Sequence, residues 1–273
     1  NEDEFKTLIS SLKIEETISG GSVANSIVGL SQLGNEVGFI GKVNDDNLGE
    51  KYENGLIKEG VKYLYKKKKE PIDTGSCLIL ITPDSERTMC TFLGIAGKIS
   101  DQDIDKENIT KSQITFLEGY LWDEGSPKKA FDKVIDLSKT TAMSLSDQFC
   151  VDRHKANFLN LVKNKLDIVF ANEQEIFSLI NANSINEVID FSKQLKKQIG
   201  ITRGEKGALV INRNEIFECE SKKNLHIKDL TGAGDLFAAG FLHGVINNYE
   251  IQKCLQTGTE LSAKIIEKIG ARI

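Results

Sequence analysis

Apolar residues recur along the chain in two alternating rhythms. Ala24, Ile27 and Val28, flanked by Leu30, follow the spacing of one helix face and predict a helix over residues 22–33. Shorter apolar runs rich in β-branched residues predict strands, the first over residues 37–43. The same reading predicts further helices over 48–58, 127–139, 153–163, 173–180, 186–197, 235–247 and 251–268. It predicts strands over 74–82, 87–93, 115–118, 142–145, 167–171, 199–202, 208–211 and 215–219. Turn residues Pro83, Asp84, Ser85 and Glu86 join one pair of strands into a hairpin. Asn212, Arg213 and Asn214 join another.

Strands and helices alternate through the middle of the chain. That order predicts an α/β fold with a mostly parallel central sheet covered by helices on both faces. Ligands of such sheets sit at the carboxyl ends of the strands, so the loops after those strands are where chemistry is expected. The early hairpin interrupts the alternation and predicts a small β lid drawn from about residues 61–95. No repeat, low-complexity segment or flexible linker divides the chain, so one domain is expected over residues 1–273.

Composition narrows the function classes. The 273 residues are 40% hydrophobic and 27% charged, with a formal net charge of −5. No basic face is implied, which argues against nucleic acid as a partner. No apolar stretch approaches membrane length, so a membrane partner is not expected either. Five scattered cysteines without a C-x-x-C pair predict free thiols in a reducing compartment, and hence a cytoplasmic location. The three histidines lack metal-ligand spacing.

The candidate chemistry lies where Thr231, Gly232, Ala233, Gly234 and Asp235 run into the apolar stretch beginning at Leu236. No Walker P-loop occurs, and Phe237 stands where a dinucleotide fingerprint needs its third glycine. What remains is a glycine-rich turn at a helix start. The first N–H groups of a helix lack internal partners and carry partial positive charge, and glycines let an anion approach them. Asp235 could cap that helix. It could equally accept a proton from a hydroxyl attacking phosphorus.

Four segments in order resemble one family. "GGSVANSIVGLSQLGNEVGFIGKVNDDNLGE" (20–50), "FANEQE" (170–175), "ITRGEKGALV" (201–210) and "DLTGAGDLFAAGFLHG" (229–244) resemble the signatures of the PfkB, or ribokinase-like, carbohydrate and nucleoside kinases. "SERTMCTFLG", "EGYLWD", "LSDQFCVDRH" and "IIEKIGAR" resemble its adenosine-kinase branch. The resemblance implies a three-layer α/β/α ribokinase-like fold with a small β lid. It also implies a first strand, bearing an acidic residue that touches the sugar; that strand has no counterpart here and is expected ahead of Asn1.

The implied activity is transfer of the γ-phosphoryl of ATP to a primary hydroxyl of a sugar or nucleoside, foremost the 5′-hydroxyl of adenosine. Ribokinase- or fructokinase-like activity, or ligand binding without catalysis, are the alternatives. Asp235 would be the general base, with Gly232, Ala233 and Gly234 as the anion hole. Asn172 and Glu175 would hold the phosphate–Mg²⁺ region, Glu175 through water. Thr202, Arg203, Gly204 and Gly207 would line the ATP site, with Gly258 near the adenine. Gly21, Ser22 and Asn25 would contact sugar hydroxyls, and Asp46 would order the substrate loop. K⁺ is a further implied cation near Asp229, where Leu230 replaces the Thr of many members. Phe149, following Asp147 and Gln148 after a predicted strand, could stack on a purine base or fill the core; Trp122 and Phe92 are further aromatic candidates. The implied partner is a small sugar or nucleoside, and the implied state a monomer or homodimer.

Overall fold

The computed structural model describes residues 2–81 and 87–272. In chain order the elements begin with α1 (Glu2–Ser10), α2 (Ser22–Gln32), β1 (Gly38–Phe39), α3 (Asn47–Lys58), β2 (Lys62–Tyr63), β3 (Thr74–Ile81) and β4 (Arg87–Gly94). They continue through α4 (Lys106–Lys111), β5 (Thr115–Glu118), α5 (Ser126–Leu137), β6 (Thr141–Ser144), α6 (Gln148–Asn164), β7 (Ile168–Asn172) and α7 (Glu173–Ile180). The last are α8 (Ile185–Leu195), β8 (Gln198–Thr202), β9 (Ala208–Asn212), β10 (Glu215–Cys219), α9 (Ala233–Ile246) and α10 (Ile251–Ile265).

Six strands form the central sheet in the order β10-β9-β8-β7-β6-β5. β5 to β8 run parallel, and β9 and β10 complete the sheet antiparallel. The parallel strands are apolar on both faces because both are covered. On one face Met143, Val169, Ala171, Ile199, Ile201, Leu209 and Ile211 join a core with residues of α5, α6, α7 and α8. On the other, Ala142, Ile168, Phe170, Ala208 and Val210 pack on α9, α10 and Leu30 of α2. Neighbouring residues of one strand, such as Val169 and Phe170, therefore belong to different cores. Three α/β/α layers follow, as expected.

α9 and α10 approach each other through glycines. A Cβ on Gly240 would lie 2.7 Å from the Gly258 Cα, and one on Gly258 would lie 2.7 Å from the Phe237 carbonyl oxygen. Gly258 is buried in this seam, and helix packing accounts for it.

Two small sheets flank the core. β3 and β4 pair antiparallel as the expected hairpin; the turn expected at Pro83, Asp84, Ser85 and Glu86 lies outside the described residues. Phe92 of β4 packs on Phe5 of α1 with ring centroids 5.9 Å apart. The strand expected over 37–43 shrinks to β1, paired parallel with β2. Gly38 and Gly41 give a ladder no side chains to pack, and the Tyr63 hydroxyl donates to the Gly41 carbonyl at 2.6 Å. α1 and α4 are absent from the expected helices: α4 is a six-residue polar helix, whereas α1 does carry Phe5, Leu8 and Ile9 at helical spacing. α6 begins five residues ahead of its expected start. The Asp147 side chain caps it, accepting from Phe149 N at 2.7 Å. A kink at His154 (φ −118°, ψ 24°) then breaks the period.

Substituting Gly258→Ala should destabilise the fold by about 1–3 kcal/mol, as overpacking of a filled interior does. Denaturant unfolding would measure it, and an unchanged midpoint would mean that the α9–α10 seam has slack.

Candidate active site

The carboxyl ends of the parallel strands carry the polar residues. Glu118 ends β5, Asp147 follows β6, Asn172 ends β7 and Thr202 ends β8. Asn172 and Thr202 are register partners across β7 and β8. α9 points its N-terminus toward α2, and these two helices build the centre.

Gly232 precedes α9 in the left-handed region (φ 80°), and its side-chain position is taken by the C-terminal tail. A Cβ there would lie 2.9 Å from the Ala271 Cα. Only glycine meets both constraints. A Cβ on Gly234 would meet nothing within 4 Å, so the approach to the helix start is open there. Asp235 lies in the first turn of α9, yet its carboxylate bonds away from that helix. Oδ1 accepts from the Ser22 hydroxyl at 2.6 Å, and Oδ2 accepts from the Asn25 amide at 2.9 Å. The Ser26 hydroxyl donates to the Asp235 carbonyl oxygen at 2.8 Å. Asp235 thus joins α9 to α2 rather than capping α9. Burial pushes its carboxyl up from the ordinary range, and the Ser22 and Asn25 bonds pull it back in part. Ser22 and Asn25, expected on sugar hydroxyls, turn their side chains to this carboxylate.

Two residues of this centre were given no role at the sequence level. Glu118 lies beside the start of α2, where the backbone N–H groups of Val23 and Ser22 favour its charged form. Gly21, the N-cap residue of α2, offers no side chain, so the start of α2 is left without a side-chain cap of its own beside this carboxyl. Burial first, then the nearby Asp235 charge, pushes the Glu118 carboxyl up to about 7. Arg272, in the C-terminal tail, donates from Nη1 to the Ser19 hydroxyl at 2.7 Å and from Nε to the Asn25 Oδ1 at 3.4 Å. Both lie in quoted motifs, "EGYLWD" and "IIEKIGAR", but neither has a spacing that points to a task.

At the β7 end, Asn172 and Glu175 form a reciprocal capping box. Asn172 Oδ1 accepts from Glu175 N at 2.8 Å, while Glu175 accepts from Asn172 N at 3.1 Å and from its Nδ2 at 2.6 Å. Burial pushes the Glu175 carboxyl up to about 7, and the Asp147 charge adds to that. Among the described residues no group of three or more His, Cys, Asp or Glu side chains could hold a metal by itself. Mg²⁺ brought on nucleotide phosphates takes one or two carboxylates and keeps waters. A buried carboxylate whose charged neighbour is another carboxylate fits that demand.

At the β8 end, Arg203 N donates to the Gly207 carbonyl at 2.8 Å, closing a turn over Gly204–Lys206. Arg203 Nε and Lys206 Nζ both donate to Glu173, each at 3.2 Å. This ties the turn after β8 to the start of α7. Asp229 spends its carboxylate on the backbone N–H of Thr231 at 2.6 Å and of Gly270 at 2.9 Å, which fastens the tail beside the glycine turn.

Asp46 roots the hairpin. Its Oδ1 accepts from Gly49 N at 2.7 Å and from the Thr74 hydroxyl at 2.8 Å, and Oδ2 accepts from Thr74 N at 2.9 Å. Burial would raise its carboxyl, but these bonds outweigh burial and hold it below the ordinary range. Phe149 is 63% exposed at the start of α6, with the Arg153 guanidinium 4.6 Å from its ring centroid. It does not fill the core. Trp122 does: it is 3% exposed and packs on His154 and Phe158, so it offers no stacking face. Phe92 is committed to Phe5.

All five cysteines are free thiols. Among the described residues no helix is long and apolar enough to cross a membrane.

Comparison with known proteins gives this geometry a context. Residues 7–273 match the family model described as pfkB family carbohydrate kinase. The solved structure of adenosine kinase from Sinorhizobium meliloti superimposes with a TM-score of 0.94 at 33% identity, covering 100% of this chain and 85% of that one. The 5-dehydro-2-deoxygluconokinase of Clostridium perfringens is 27% identical over 269 residues, 90% of this chain and 78% of that protein. An uncharacterized sugar kinase of Archaeoglobus fulgidus is 26% identical over 253 residues, 90% of this chain and 97% of that protein.

The raised Glu118 carboxyl predicts a pH dependence. A carboxyl that titrates higher in the folded chain supports stability below its unfolded value of 4.5, and that support is lost as pH rises through about 7. Glu118→Gln does not titrate. Its melting temperature should therefore gain on wild type between about pH 5 and about pH 8, and a constant difference across that range would refute the assignment.

Proposed function

Since the chain belongs to the pfkB family of carbohydrate kinases, we propose that it transfers the γ-phosphoryl of ATP to a primary hydroxyl, with Asp235 as the base. The observation that carries this reading is the Asp235 carboxylate, held by Ser22 and Asn25 at the open N-terminus of α9. An ionised carboxylate has about four lone-pair sites, so two remain for an incoming hydroxyl. Burial keeps its proton affinity high, which suits a base working near neutral pH.

In this reading the acceptor hydroxyl gives its proton to Asp235 as its oxygen attacks phosphorus. The N–H groups at Gly232 and Gly234, with that of Ala233, which also donates to the Leu230 carbonyl at 3.3 Å, meet the negative charge gathering on the phosphoryl oxygens. They are fixed before the reaction, so little reorganisation opposes them. The turn Thr202 to Gly207 takes the nucleotide, and Asn172 and Glu175 take the phosphate end. Mg²⁺, when bound there, neutralises phosphate charge. The β3–β4 hairpin, rooted through Asp46, excludes water from the acceptor.

For the acceptor we favour a nucleoside, and adenosine above others. Phe149 supports this: it is an exposed ring at a strand's carboxyl end, and a free sugar would leave that surface unused. The 33% identity to an adenosine kinase points the same way. The likeness to a 5-dehydro-2-deoxygluconokinase makes a sugar acceptor the second reading.

Two measurements test the two levels separately. Asp235→Asn should keep the fold and ATP binding while turnover drops on the order of 10²–10⁴-fold, the usual contribution of a general base. Near wild-type kcat would assign Asp235 a purely structural task. An ATP-consumption screen over nucleosides and free sugars tests the acceptor. Adenosine should lead it, and Phe149→Ala should lower kcat/KM for adenosine by about 5- to 150-fold, the worth of base–aromatic stacking. A preference for a free sugar, or a Phe149→Ala variant that handles adenosine normally, would overturn the nucleoside assignment alone.

A further inference from the structure

The C-terminal tail reaches the centre of the site. Gly270 is tied to Asp229, Ala271 covers Gly232, and Arg272 enters between the loop before α2 and α2 itself. Its guanidinium is desolvated, which holds its pKa below the ordinary value, with Tyr52 and Glu59 acting the other way. Nη2 is buried without a hydrogen-bond partner among the described residues. Leaving such a donor unpaired is costly. Surface packing of a tail does not call for it.

The contacts of Arg272 identify a use. An amide can present either its oxygen or its nitrogen to a neighbour, and Asp235 needs the nitrogen of Asn25. Arg272 is donor-only, so Nε meets the Asn25 oxygen and fixes the amide in the orientation that donates to Asp235. Nη1 holds Ser19 at the entry to the Ser19–Gly20–Gly21 loop. That loop is also pressed from α3, where a Cβ on Gly55 would meet the Ser19 side chain. The planar guanidinium does both in one rigid geometry, which a lysine ammonium cannot copy.

We propose that Arg272 is a positioning residue for the proton acceptor: it orients Asn25, and through Asn25 it sets the direction and proton affinity of the Asp235 carboxylate. This rests on the reading of Asp235 as the base. The other groups facing Asp235 are Ser22 of α2, Glu118 at the end of β5 and Tyr120 just beyond it. The Asn25 bond stabilises the charged carboxylate. Its loss therefore raises the Asp235 pKa, which fixes the sign expected on removing Arg272.

The test uses the full chain as wild type, Arg272→Ala and Arg272→Lys. Misplacement near a reacting group costs up to about 100-fold, so Arg272→Ala should lower kcat by about 10- to 100-fold. The KM for ATP should stay within about threefold of wild type, and the acidic limb of the kcat/KM profile should move to higher pH. Arg272→Lys should restore part of kcat. A tail that serves only stability would lower the melting temperature and leave the pH limb in place, which would overturn the proposal. The Asp235 titration followed by carboxyl NMR needs no turnover and should shift upward in Arg272→Ala. Wild type inactive toward every acceptor, with that shift present, would sink the kinase reading and keep the positioning role. An active wild type with no shift would do the reverse.

Discussion

Everything at the centre of this protein depends on where one carboxylate finds its hydrogen bonds. Asp235 belongs to α9, yet its oxygens are met by Ser22 and Asn25 of α2. The two helices come from opposite ends of the sequence and lie on the same face of the sheet. Had Asp235 bonded the start of its own helix, α9 would be capped and the glycine turn would face solvent with a used carboxylate. Instead the acid bridges two elements and keeps lone pairs free. The cost is burial of a charge, which raises the carboxyl's proton affinity and is partly offset by the two donors.

The same economy governs the rest of the site. Several polar residues around the site are committed to orphan N–H groups at helix starts. Asn172 and Glu175 cap α7, Asp147 caps α6 and Asp46 caps α3. These helix starts sit on a sheet whose faces are filled by two separate apolar cores. Rigidity at the strand ends therefore comes from packing below and capping above.

The sequence made the periodic parts of this molecule legible. α7 was read to its ends because Asn172 and Glu175 mark its start and Asn181, in the left-handed region, its close. β10 was read as well, since its hairpin partner and turn residues flank it. The misses have physical causes. β1 is too short and glycine-broken to hold a ladder, and α6 changes direction at His154, so only its second half keeps a helical rhythm. Glycines carry no rhythm at all, so the close seam of Gly240 and Gly258 between α9 and α10 is not legible in the string. Within the site, Asp235 and its glycines stood out because their chemistry is local. Glu118 and Arg272 did not, because their roles exist only once β5 and the tail are brought to the start of α2.

The kink in α6 divides that helix into parts with different obligations. Beyond His154, Phe158, Leu161 and Val162 are buried and commit the second half to the core. Ahead of it only Val151 is buried, and Phe149 projects into the open. Substitutions in the first segment thus leave the packed half untouched. The surface beside the strand ends can therefore change chemically at little cost to the core. A helix built in two pieces thus separates the chemistry its surface can display from the packing that holds it in place.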